Sequence, residues 1–193
     1  MKSELVDYKN IYYPPGGILI WIIIFLELIT FGAALIALVF YSKEDPLLFH
    51  ESRLQLNVGF GTINTVFLLT SGFFMAATVH ELKENQKQKA QNYLLITMLF
   101  GLLFLILKGV EYNVKLNAGL DMSYNTFFTF YWMLTIFHVA HVLVGLVILI
   151  SVYFGIKKEK STTKMEDVEA SAAFWHMCDL IWLLLFPVIY LIF

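Results

Sequence analysis

Five apolar runs, each long enough to cross a bilayer, set what this chain can fold into: 16–41, 55–80, 92–114, 124–156 and 169–193. A membrane-spanning helix needs about 20 apolar residues, and too little chain remains between the runs for a soluble domain. The fold class expected is all-α, an integral membrane bundle of five transmembrane helices forming one domain over residues 1–193. Composition agrees, since 59% of the residues are hydrophobic and only 15% charged, against roughly 25% charged in soluble domains. Cys178 is the only cysteine and lies inside a run, so neither an intrachain disulfide nor a thiolate metal cluster can form. The first run follows Glu4, Asp7, Tyr8, Tyr12 and Tyr13, and no small-residue cleavage site comes after it. It therefore reads as a retained helix and not a signal peptide.

Lysine and arginine set the expected orientation. If the amino terminus and the loops after the second and fourth runs share a side, that side holds Lys2, Lys9, Lys83, Lys87, Lys89, Lys157, Lys158, Lys160 and Lys164. The other side holds Lys43, Arg53 and Lys115. The positive-inside rule then puts the amino terminus in the cytoplasm and Phe193 in the periplasm. The two loops 81–91 and 157–168 are short and charged, solvated turns that help to set this topology.

The residues that could carry chemistry are the ionisable ones within the runs. An acid at a helix centre costs about 2.5–3.5 kcal/mol on insertion scales, so such groups pair, face the bundle interior or line a water path. Glu27 falls roughly 17 Å into the first helix, with no cation one turn away on its own helix. It is therefore protonated, hydrogen-bonded to another helix or wetted, in a structural, a proton-linked or a ligand-contacting role. His138 and His141 are three residues apart and share a face. That spacing suits interhelical hydrogen bonds or a metal, but cannot supply both axial ligands of one haem; a haem between either of them and His176 is a further alternative. Lys108 and Glu111, also three apart near one end of the third run, form an ion pair whose lysine can snorkel to the interface.

The fifth run opens with Glu169 and the small residues Ala170 to Ala173, which permit close helix approach. His176 and Asp179 then lie three apart, while Trp175, Asp179 and Trp182 recur at i, i+4 and i+7, one polar and aromatic stripe that must face protein or lipid headgroups. The second run offers a small, polar partner surface in Asn57, Gly59, Gly61, Asn64, Thr65, Thr70, Ser71 and Gly72. There is no Gly-rich phosphate loop, no nucleophile with a base in reach and no pair of broken transporter helices. Catalysis by this chain alone is not expected, and neither is a nucleic-acid partner.

Laid out in order, these residues resemble subunit III of the haem-copper cytochrome oxidases, a family that includes the related accessory subunit of nitric oxide reductases. The resemblance runs over all five helices: Trp21 with Glu27; Asn64-Thr65, Leu68-Leu69 and Ser71-Gly72; Gly101, Phe104-Leu105 and Glu111-Tyr112; His138, His141-Val142 and Gly145; then Glu169, Trp175-His176, Asp179 and Trp182. It departs where Lys108 replaces a usual glutamine, Ile136 a glycine, Phe174 a tyrosine and Cys178 a valine. The first two helices of the family's seven-helix form have no counterpart here, so another subunit supplies that wall of the lipid-holding cleft or the cleft is open.

The resemblance implies a non-catalytic subunit of an oxidoreductase complex, a cytochrome c or quinol oxidase, in a bacterial inner membrane. Its partners would be oxidase subunits I and II, in a complex that can join a respiratory supercomplex. Haem and copper would belong to those partners, with no cofactor or metal in this chain. The subunit would hold phospholipid and support proton uptake. Glu27, Glu111, His138, His141, His176 and Asp179 would be its proton-linked or buried polar groups; Trp21, Glu169, Trp175 and Trp182 would meet lipid or a neighbouring subunit. The alternatives are a nitric oxide reductase accessory subunit and a small b-type haem electron carrier.

Overall fold

The computed structural model describes residues 14–157 and 164–193. Lys2, Lys9, Lys158 and Lys160 of the charge argument, and the acidic and aromatic residues before Tyr13 together with Tyr13 itself, lie outside the described residues. Among those described there is no strand. Six α-helices run in order: α1 (Ile18–Ser42), α2 (Pro46–Leu54), α3 (Val58–Lys83), α4 (Lys87–Asn117), α5 (Thr126–Lys157) and α6 (Met165–Pro187), the last continuing as a π-helical turn over Val188–Ile192. All but α2 are long and apolar enough to cross a membrane.

The helix ends follow from local chemistry. Pro46 takes the first position of α2, where its missing N–H is no loss, and the Asp45 carboxylate accepts from Leu48 N at 3.1 Å. The stretch between the first two runs, read from sequence as loop, thus contains a nine-residue helix, too short and too polar to show as a span. Asn57 caps α3 through Gly59 N at 2.9 Å. At the tight α3–α4 turn Asn85 takes a left-handed φ of 59° while Gln86 N reaches back to Glu81 O at 2.8 Å. That turn lays α3 and α4 antiparallel as neighbours.

The bundle is arranged around α6, which packs on α3, α5 and α1, while α4 is held between α3 and α5. Half of the α6 span is buried, against 22% of the α1 span. The outermost helix, α1, lies on α5 and α6 and leaves Ile22, Phe25, Leu26, Ile29 and Ile36 exposed, as expected for side chains that meet lipid. Near the end of α6, Pro187 has no N–H to give the preceding turn, and the helix widens into the π turn. The widened turn brings Tyr190 inward, fully buried, and Arg53 of α2 donates from Nε to its carbonyl at 3.1 Å.

Candidate functional site

The two tryptophans of the α6 stripe stand at the centre of the bundle. Trp175 is fully buried, its indole N–H donating to Ser71 Oγ of α3 at 3.0 Å. Its ring wedges between two glycines: a Cβ on Gly101 of α4 would lie 2.7 Å from Trp175 Cη2, and one on Gly145 of α5 would lie 2.8 Å from Cε3. Two turns on, Trp182 donates to Thr65 Oγ1 of α3 at 2.9 Å, stacks on His138 of α5 at 5.4 Å and meets Phe104 of α4 edge-on at 5.1 Å. Both tryptophans therefore join three helices of their own chain. The expectation that they meet lipid or another subunit gives way, because α3 supplies hydroxyl acceptors and α4 and α5 supply glycine space. Trp21 stays half-buried at the start of α1, donating to Pro15 O at 3.0 Å.

Around Glu111 the structure assembles a buried polar cluster. Lys108 Nζ lies 2.9 Å from Glu111 Oε2 and 2.8 Å from Tyr190 OH; Tyr190 and Tyr131 hydroxyls both donate to Glu111 Oε1, at 2.7 and 3.1 Å. Lys115 approaches the same oxygen at 4.0 Å. The ion pair is present, but Lys108 does not snorkel: it is fully buried, with its ammonium 4.8 Å from the centre of the Trp182 ring. A carboxylate, a hydroxyl and an aromatic face replace water around the cation.

Glu27 and His141 meet across α1 and α5, Oε2 and Nε2 being 3.2 Å apart. His141 Nδ1 is 2.7 Å from the Phe137 carbonyl oxygen. A carbonyl only accepts, so Nδ1 carries hydrogen, and Nε2 would then turn a lone pair on the carboxylate unless a further proton lay between them. Glu27 Oε2 is buried and has no hydrogen-bond partner, so the two groups face each other without a formed bond. His138, three residues away, is wholly enclosed by Phe31, Phe104 and Trp182, and neither ring nitrogen has a protein partner. The two histidines share Phe31 as a neighbour, but only His141 reaches an acid.

His176 and Asp179 are in contact, Nδ1 to Oδ2 at 3.3 Å, in a groove between α3 and α6. Glu169 pairs with Lys83 of α3 at 2.8 Å, near the ends of their helices. Sequence reasoning did not find this pair, nor Tyr131, Tyr190 and Lys115 around Glu111, nor Arg53 on the Tyr190 carbonyl. Tyrosines and terminal lysines at span ends are common enough that only the packing distinguishes these. Among the described residues, no group of three or more His, Cys, Asp or Glu side chains is placed to hold a metal ion.

The family model for cytochrome c oxidase subunit III matches residues 53–192. Cytochrome c oxidase subunit 3 of Rhipicephalus sanguineus is 36% identical over 129 residues, 66% of this chain and 49% of that protein. The same subunit of Corynebacterium diphtheriae is 27% identical over 187 residues, 92% of this chain and 89% of that one. Cytochrome bo(3) ubiquinol oxidase subunit 3 of Buchnera aphidicola is 24% identical over 173 residues, 89% of this chain and 84% of the relative. The chain thus spans about half the length of the Rhipicephalus protein and most of the two bacterial ones. With α3 to α6 inside the matched region, and with them the tryptophan stripe, its serine, threonine and glycine receptors and the Glu111 cluster, the chain belongs to the cytochrome c oxidase subunit III family.

Proposed function

We propose that this chain is the non-catalytic third subunit of a haem-copper terminal oxidase in a bacterial inner membrane, its amino terminus in the cytoplasm. The observation that carries the reading is how its polar groups are used. Trp175, Trp182, Lys108 and Glu111 are consumed in joining helices to one another, as befits a scaffold. Subunits I and II supply haem and copper. His138 lies between the rings of Phe104 and Trp182, in a packing role and not an axial one. Purifying the complex through a tag on this chain tests the reading: haem, copper and the two larger subunits should come with it. A stoichiometric b-type spectrum from the isolated chain would overturn it.

Within that role, the Glu27–His141 contact is the proton-linked group. Its support is the placement of the two ionisable groups 3.2 Å apart, with Glu27 on the lipid-facing α1 where a carboxylate alone would be costly. The exposed apolar face of α1 supports phospholipid binding as the subunit's second task. Glu27→Gln should leave assembly intact while slowing proton uptake at high pH or shortening the working life of the oxidase. Turnover, pumping and inactivation all equal to the parent would reduce Glu27 to a structural residue.

A further inference from the structure

Glu111 and Glu169 have bonded partners on other elements, Tyr131 and Tyr190 on α5 and the π turn and Lys83 on α3, and Glu27 lies 3.2 Å from the His141 imidazole of α5, although its Oε2 makes no hydrogen bond. Among the described residues, Asp179 has no acidic, basic or hydroxyl group of another element bonded to it. It stands midway along the 28-residue span Met165–Ile192, about 20 Å from either end, and is 7% exposed. Among the described residues, its Oδ2 bonds only to His176 of its own helix, and its Oδ1 is buried with no hydrogen-bond partner. Gly72 of α3 lets the carboxylate lie there, since a Cβ at that position would collide with Oδ2.

The carboxylate opens into a groove of about 360 Å³ walled by Leu69, Gly72, Ala76 and Leu180 among others. Through Ala76 and His176 this groove is continuous with a second, of about 290 Å³, that reaches Lys83 and Glu169. Together they follow α3 from Leu69 to Lys83, about 21 Å at the helical rise. The floor is made of small residues, Gly72 and Ala76 four apart on α3 and Ala172 and Ala173 on α6, the surface against which a helix backbone packs most closely. Acyl chains carry no donor at mid-membrane depth, so a lipid in the groove would leave Oδ1 unsatisfied.

We infer that the α3–α6 groove seats a membrane-spanning helix of a neighbouring oxidase subunit, with a hydrogen-bond donor side chain opposite Asp179. The inference rests on the proposed role as an oxidase subunit and specifies which face that role uses. A benzophenone amino acid placed at Leu69 or Leu180 on the groove rim, or at Ile29 on the exposed face of α1, reads it in the purified complex. Leu69 and Leu180 should each cross-link to one and the same spanning subunit. Cross-links to phospholipid alone, or to an oxidase subunit from Ile29 but not from the rim, would overturn the inference and leave the oxidase role standing. If no oxidase subunit accompanies the unmodified chain, the oxidase role itself fails and takes the inference with it. In parallel, Asp179→Leu should lower retention of the partner through detergent washing by about 3- to 20-fold, the effect of one interhelical hydrogen bond, whereas Asp179→Asn retains it. Equal retention of both variants with the parent would also overturn the inference.

Discussion

Glu111 and Asp179 are both carboxylates within spanning helices, and each has an ionisable neighbour three residues away on its own helix, Lys108 and His176. Their surroundings differ in one respect. Glu111 receives hydrogen bonds from α4, α5 and the π turn after α6 and is sealed, whereas Asp179 keeps one buried oxygen without a donor at the floor of an open groove. The same spacing therefore yields a finished internal joint in one place and an unfinished contact in the other. In a bilayer, where no water completes a hydrogen-bonding set, the number of donors brought by other helices separates the two.

The strongest way to break the comparison is Glu111→Leu, which leaves the Lys108 ammonium buried without its carboxylate. A loss of about 3–5 kcal/mol is expected, read as unfolding of the isolated subunit at lower denaturing-detergent fraction. The double variant Lys108→Leu/Glu111→Leu should regain at least half of it, because removing both charges removes the unpaired one. A loss unchanged in the double variant would show that the tyrosine bonds, and not the ion pair, hold this end together.

The glycines sharpen the contrast next. Gly101→Ala pushes a methyl against Trp175, whose ring is already pinned by Gly145 and by its bond to Ser71, so about 1–3 kcal/mol of overpacking is expected. Gly72→Ala also collides, but with the end of the Asp179 side chain, which can swing into the open groove. Its cost in the isolated chain should be below about 1 kcal/mol, under the range for a sealed core. Thermal unfolding of the two variants side by side compares them; equal losses would mean that Asp179 is held as firmly as Trp175.

The smallest effect expected is that of Asp179→Asn on the isolated chain. With no donor from another helix to lose, its unfolding should match the parent to within about 0.6 kcal/mol, the mean for one interhelical hydrogen bond. A larger loss would place a partner for Asp179 inside this chain.

Span number and the polar residues within each span were legible in the sequence, because a bilayer demands long apolar runs and makes every interruption conspicuous. The i, i+4, i+7 stripe Trp175, Asp179 and Trp182, and its receiving surface on the second run, were legible for the same reason: helical periodicity assigns a face before any packing is known. Short α2 was not, since nine residues outside the apolar core of the membrane carry no span-length signal, although Asp45 and Pro46 mark its start. Tertiary structure alone decided that Lys108 is buried and not snorkelled, that His141 and not His138 meets Glu27, and that Glu111 is saturated where Asp179 is not. Each of these depends on donors and acceptors from elements distant in the chain, such as Tyr190, 79 residues from Glu111. Periodicity fixes which side of a helix a residue occupies, but not which neighbour that side will meet.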